Sequence, residues 1–370
     1  MAYEQSSAAG MHDLLDKLRL FLIADGWAVN DYSADSQMYR TWSGLDATGS
    51  YRLHVQKILG PIGDTETCYF NFRSATRLVL FEDNYDYTSQ INGRYRSEMR
   101  GIGINGSSAY SGGGYWDQQT GAPEAGATGK SIGACMTELP TGTIPYWFFS
   151  NGDTVVVVAE ILTDTFSFMA FGRLTGKGSY SGGPFYAASS GSYCPSYQYW
   201  YNSGGNYEMV RTQFLADLNG TYGGSMAVRF IADGVTDWRH QGKEGSSSAG
   251  RTDYLRLAGL GPYSNPAQIQ GRSVAVQFIT RAPNTFNAIA PMCPAYVFSK
   301  LDTGRYSYLG YPEGIRIINR TQYNPGDSFI LGDTGGEEWV VFPAHQIGPV
   351  PNYPSCDLWN EIGFAFRKNT

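Results

Sequence analysis

The chain has little of what most catalytic and metal sites are made from. Four histidines serve 370 residues, and charged residues make up only 16%, against about 25% in an ordinary soluble domain. None of the four histidines stands at ligand spacing from a cysteine or carboxylate. Five cysteines (Cys68, Cys135, Cys194, Cys293 and Cys356) are scattered and odd in number. No C-x-x-C pair occurs, which argues against both a zinc ribbon and a disulfide framework. Reduced cysteines acting as small apolar fillers fit a reducing cytosol. No basic run exists and the net charge is −6, so a nucleic-acid footprint is missing. No run is long enough to span a membrane. The opening residues have no basic stretch ahead of an apolar one, as a secretory leader would.

Nucleotide and hydrolase motifs are equally scarce. There is no G-x-S-x-G elbow and no P-loop. Gly101, Gly103 and Gly106 spell G-x-G-x-x-G. No apolar strand precedes them and no helical stripe follows, so a glycine-rich loop is expected instead of a dinucleotide site. Asp302-Thr303-Gly304 and Asp333-Thr334-Gly335 imitate the paired triplets of aspartic proteases. They stand too close together to come from two lobes, and each fits a turn between strands. Glu82 to Asp86 lacks the ordered pattern of a calcium loop. His12 is expected on the polar side of a helix, His54 in an alternating strand, and His240 and His345 in loops. No catalytic, cofactor-binding or metal-binding residue is assigned, and no cofactor is expected.

What the chain has in quantity is glycine and aromatic surface: 46 Gly, 27 Tyr, 19 Phe and 8 Trp. One phrase is used twice, as Tyr110-Ser111-Gly112-Gly113-Gly114-Tyr115-Trp116 and as Tyr180-Ser181-Gly182-Gly183-Pro184-Phe185-Tyr186. Glycine permits tight turns and the rings supply broad packing faces. With so few charges, a monomer would leave apolar surface open to contact. Tyr110, Tyr115, Trp116, Tyr180, Phe185 and Tyr186 are therefore candidate interaction residues. A further cluster, including Tyr199, Trp200 and Tyr201, could pack at an interface or stack on sugar rings.

One segment reads clearly as a helix. Met11, Leu14, Leu15, Leu18, Phe21 and Leu22 form an apolar stripe. Ser6 or Ser7 is expected to cap its start, Lys17 and Arg19 to suit its C-terminal dipole, and Asp25-Gly26 to end it. After it come strands: Tyr51 to Val55, Cys68 to Arg73, the continuous run Val155 to Val158, Phe166 to Ala170, Val274 to Phe278, Phe329 to Leu331, Trp339 to Val341 and Phe364 to Phe366. A second short helix is expected over 208–218. The fold class expected is mainly β, antiparallel and β-sandwich-like, with an N-terminal amphipathic helix that makes the start α+β. Weak composition breaks divide the chain into a helix-plus-strands module (1–125), a central β domain with Tyr/Gly-rich loops (126–300) and a C-terminal hairpin region (301–370).

Several phrases resemble one family. They are Met1 to Glu4 with Leu14 to Arg19 and Ala24 to Trp27, then Tyr69 to Arg73, Leu139 to Phe149, Phe171 to Leu174 with Tyr180 to Gly183, and Gly332 to Val341 with Phe364 to Arg367. Together they resemble structural proteins from the virion gene clusters of tailed bacteriophages. Residues 193–267 match nothing in that pattern. The resemblance implies a non-enzymatic component of the tail, baseplate or collar, assembled in the host cytoplasm into the virion. Its partners would be further copies of itself and neighbouring virion proteins, with a host-surface glycan as a further one. Two other classes stay open: a receptor- or glycan-binding tail module, and a glycan depolymerase with a carboxylate pair placed by the fold.

Overall fold

The computed structural model describes residues 2–34, 40–41, 44–45, 51–59, 66–79, 98–112, 119–121, 124–125, 130–131, 133–137, 142–175, 185–189, 191–193, 225–229, 238–240, 255–257, 292–295, 297–302, 305–332, 336–343 and 362–368. Among these residues the fold is mainly antiparallel β, with one helix near the N-terminus.

Strand β1 (Ala2–Ala8) leads into helix α1 (Met11–Ala24) and strand β2 (Ala28–Ala34). Two-residue strands β3 (Arg40–Thr41) and β4 (Gly44–Leu45) pair with each other. Next come β5 (Tyr51–Ile58), β6 (Thr67–Val79) and β7 (Glu98–Ser107). The small pair β8 (Glu124–Ala125) and β9 (Lys130–Ser131) precedes β10 (Gly133–Thr137). The centre is β11 (Ile144–Ser150), β12 (Thr154–Leu162), β13 (Thr165–Thr175), β14 (Phe185–Ser189) and β15 (Gly191–Tyr193). Then follow β16 (Ser225–Arg229), β17 (Trp238–His240), β18 (Leu255–Leu257), β19 (Met292–Pro294), β20 (Val297–Asp302) and β21 (Arg305–Pro312). The C-terminal strands are β22 (Ile315–Asn319), β23 (Ser328–Leu331), β24 (Glu337–Pro343) and β25 (Ile362–Lys368).

Three sheets carry the structure. The central one runs β1-β11-β12-β13-β14-β16-β17, with β18, β20 and β21 joined to it through β13. The N-terminal sheet runs β15-β10-β7-β6-β5-β2, and the C-terminal sheet β19-β22-β25-β24-β23. The expected division near residue 126 cuts through two of them: β1 pairs β11, and β10 pairs both β7 and β15.

The run Val155 to Val158 is apolar on both sides because both faces of the central sheet are buried. Val155 and Val157 join a core with α1 and the N-terminal sheet. Val156 and Val158 join another with the C-terminal sheet. Phe171 on β13 anchors the first core, with its ring 5.1 Å from Phe70, 5.1 Å from Phe72 and 5.6 Å from Trp27. Trp147 and Phe149 anchor the second, against Phe342 at 5.0 Å and Phe366 at 5.5 Å. Each such ring pair adds about 0.5–1.5 kcal/mol to its area burial.

The helix has the expected apolar stripe, and all six residues of it are buried. Its start differs. Ser6 and Ser7 are committed to pairing with Tyr146 and Pro145, so Gly10 holds the N-cap position. Asp13 reaches back to accept from the Ala9 amide at 2.8 Å, placing a carboxylate at the positive end of the dipole. The helix also outruns Lys17 and Arg19, leaving no base in its last turn. Lys57 of β5 takes that place from across the fold, donating to the Asp25 carbonyl at 2.6 Å. Gly26, at φ 86°, makes the left-handed exit.

Two further expectations change. Gly101, Gly103 and Gly106 lie within β7, a strand flanked on both sides, and do not form a loop. Gly103 faces Arg73 and Gly106 faces Phe70 across the pair, so the missing side chains leave room beside two buried bulky groups. His240 ends strand β17 opposite Ala227, in place of the expected loop. The hairpin of β23 and β24 and the last strand β25 form as expected. Asp302 opposes Arg305 at the tip of the β20–β21 hairpin. The expected elements over 208–218 and 274–278, the Glu82 to Asp86 loop, Asp333 and His345 lie outside the described residues.

Candidate functional site

The N-terminal sheet has one apolar face and one polar face. Leu53, Val55, Phe70, Phe72, Ile102 and Ile104 point into the first core. Period-two alternation then sends His54, Asn71, Arg73 and Asn105 to the other side. Pairing aligns His54 with Asn71, and Asn71 with Asn105, as one row across three strands. A polar sheet face commonly meets water. Here His54, Asn71, Arg73, Asn105 and Ser107 are all at most 2% exposed.

Hydrogen bonds organise the row. Asn71 Nδ2 donates to Ser107 Oγ at 3.0 Å, which turns Asn71 Oδ1 towards His54 Nδ1 at 2.7 Å. A carbonyl oxygen only accepts, so the His54 proton sits on Nδ1. Ser107 Oγ in turn donates to the Ala109 carbonyl at 3.1 Å. The serine hydroxyl thus answers to an amide and a carbonyl, and the imidazole to an amide. In these bonds the serine hydroxyl and the imidazole are joined through the Asn71 amide.

Tyr110 lies over this row, its ring 5.2 Å from that of His54. It is the first residue of the first aromatic–glycine phrase. The two ends of that loop are clasped. Ser108 donates its amide and its hydroxyl to the Thr120 carbonyl, at 2.8 and 2.9 Å. Ser111 donates its amide and hydroxyl to Gln119 Oε1, at 2.9 and 3.1 Å. Gln119 is 3% exposed, while Ser111 and Thr120 are exposed, so the clasp runs from the interior to the surface. The first residues of the phrase, Tyr110 to Gly112, therefore adjoin a hydrogen-bonded base.

Of the other candidate interaction residues, Phe185 and Tyr186 are corrected: both are fully buried. They occupy β14 between β13 and β16, where both sheet faces are covered. Phe185 falls into the first core and Tyr186 into the second. Burial pushes the Tyr186 hydroxyl well above the ordinary phenol range. Tyr115, Trp116, Tyr180, Tyr199, Trp200 and Tyr201 lie outside the described residues.

A second polar cluster flanks the helix. Arg19 pairs with Asp16 at 2.7 Å and lies 4.7 Å from the centre of the Tyr32 ring. Tyr32 stacks on Tyr51, and Tyr51 meets His12, whose Nδ1 is 2.8 Å from Ser74 Oγ. Burial and then the Asp16 carboxylate push Tyr32 up to about 12. Burial alone lowers His12, which is half-buried and not on a purely solvated helix face. At the other end of the helix Asp25 is nearly sealed, its side chain 2% exposed. It accepts from Ser150 Oγ at 2.7 Å and from Lys57 Nζ at 3.2 Å.

Sequence reasoning missed the His54 row and the Asp25 latch. The signal for the row was three polar residues at alternate positions, but only strand register aligns them. Among the described residues no three His, Cys, Asp or Glu side chains gather as metal ligands. No helix among them is long and apolar enough to cross a membrane. No protein-family model matches the chain, and a search of curated proteins finds no match.

Proposed function

We propose that this chain is a non-enzymatic structural subunit of a tailed-phage virion, in the tail, baseplate or collar. The supporting observation in the structure is the clasped base beneath the first aromatic phrase. Hydrogen bonds that join the ends of a loop lower the entropy still to be lost when it meets a neighbour, which favours contact. Tyrosine and tryptophan are the residues most enriched at such contacts. The phrases shared with virion structural proteins supply the class of assembly. The two cores on opposite faces of the central sheet favour a sandwich-like, layered packing of the three sheets. The surface offered to neighbours is Tyr110, Tyr115 and Trp116, with Tyr180 and the Tyr199, Trp200 and Tyr201 cluster. Partners are other copies and neighbouring virion proteins; a host glycan fits the last cluster. Nucleic acid and membrane insertion have no part in it.

The test is incorporation. Expressed with the particle that contains it, the chain co-purifies in a fixed ratio to the other components. Trp116→Ala lowers that ratio several-fold while the isolated protein keeps its melting temperature. Normal incorporation of the variant sinks the role of this loop. Absence of the chain from particles sinks the virion reading.

A further inference from the structure

Each sheet ends in a strand edge, and the edges formed by β2, β23 and β1 are not alike. β2 closes the N-terminal sheet with a bulge between Val29 and Asp31 and an Arg52–Asp31 ion pair at 2.7 Å. Both devices discourage another strand from docking. β23 closes the C-terminal sheet, but it is only four residues long. β1 closes the central sheet with seven residues, paired on one side to β11 over its full length and, among the described residues, to no strand on the other. It has no proline, no lysine and no bulge. Its middle residues Gln5, Ser6 and Ser7 are exposed.

We propose that β1 is a dimerisation edge, occupied by β1 of a second copy running antiparallel to it. The strand is its own complement. Centred on Gln5, the pairing sets Ala2 against Ala8, Tyr3 against Ser7, Glu4 against Ser6, and Gln5 against Gln5 of the second copy. No like charges stand directly opposite. The one acidic group is already engaged, because Tyr146 Oη donates to Glu4 Oε1 on the α1 side of the sheet. On the other face Tyr3 is held in place, donating to Gln5 Oε1 at 2.9 Å and covered by Lys368 Nζ at 4.8 Å from its ring centre. Lys368 is itself tied to Glu338 at 3.0 Å. A strand fixed on both faces is pre-organised to accept a partner at its open edge. The contact is isologous, so it closes as a two-fold dimer and continues the central sheet across both copies. Such a dimer forms in free solution whether or not the chain enters a particle.

Sedimentation of the purified full-length chain tests this. The wild type sediments at twice its 40.6 kDa mass. Gln5→Lys and Gln5→Glu each place like charges face to face on the two-fold axis and weaken the dimer about five-fold or more. Both substitutions are at an exposed position, and unchanged circular dichroism shows that the fold is kept. Mixing the two variants sets opposite charges together and restores the dimer. A wild type that stays monomeric, or a Gln5→Lys variant that dimerises as tightly as the wild type, overturns the proposal.

Discussion

Asp25 shows how one side chain can join three elements. It follows α1 in sequence, takes a hydrogen bond from Ser150 at the end of β11 and an ion pair from Lys57 of β5. Ser150 Oγ also accepts from the Gly152 amide at 3.0 Å, extending the contact into the turn before β12. Lys57 lies 5.5 Å from the Trp27 ring centre, so its ammonium is enclosed by a ring, a carboxylate and a carbonyl. Removing the carboxylate takes one acceptor from that ammonium and one from the serine hydroxyl. Asp25→Ala should therefore cost about 3 kcal/mol, read as a lower urea midpoint at unchanged slope. A loss below about 1 kcal/mol would show that water replaces the carboxylate freely. Nothing in the local sequence marks Asp25 beyond its place before Gly26. Its partners stand 32 and 125 positions away.

At the scale of elements, the helix and the β12–β13 hairpin follow different rules. Spacing of apolar residues is enough to define α1, because its stripe repeats at the helical period and Gly26 ends it. The hairpin depends on close backbone approach. Asp164 carries a positive φ of 59° at its tip, and Gly172 one of 135° at its base. A Cβ on Gly172 would fall on the Asp153 carbonyl oxygen, which already accepts from the Arg173 amide at 2.9 Å. The obstacle is backbone, so it cannot turn aside. Gly172→Ala should cost about 3 kcal/mol and loosen β12 against β13. Amide exchange should speed most at residues 153–156 and 171–174; uniform exchange throughout would argue against a local clash. Strand periodicity alone does not disclose this, since Gly172 looks like one more glycine in a glycine-rich chain.

For the whole molecule, the balance between buried or partly buried phenols and a half-buried imidazole sets the pH range of stability. Tyr32, Tyr146 and Tyr186 all have raised values, chiefly through burial. Above the ordinary phenol value of 10.0 the unfolded chain gives up protons that the native state keeps, so stability falls as pH rises. For Tyr32 the fall continues until about pH 12. His12 acts at the acid end. Its value is lowered from 6.5, so below that pH the unfolded chain binds a proton that the native state refuses, and stability falls as pH drops. Thermal melts should give a plateau from about pH 7 to 9, with decline on both sides. Tyr146→Phe should flatten the alkaline limb, and an unchanged limb would remove Tyr146 from the account. These groups are raised or lowered because the sheets enclose them. Tyr186 lies in the second core with Phe364 and Phe366, and Tyr146 in the first with α1.

The division between what was legible and what was not follows from range. The helix stripe, the Val155 to Val158 strand, the β23–β24 pair and the closing strand are local: each is written in the order of neighbouring residues, where helical and strand periods leave different marks. Sequence also determined the chain's poverty in charge and its wealth of rings. It did not determine which rings face inward. Phe185 and Tyr186 belong to the same phrase pattern as Tyr110, yet they are core because β14 lies between two strands under cover on both faces. The glycines of β7 read as a loop because the bulky partners Phe70 and Arg73 that they accommodate lie on another strand. His54, Asn71 and Asn105 form a row only once three strands are in register. Burial, register and cross-sheet contact are relations between distant parts of the chain, and only the tertiary structure brings those parts together.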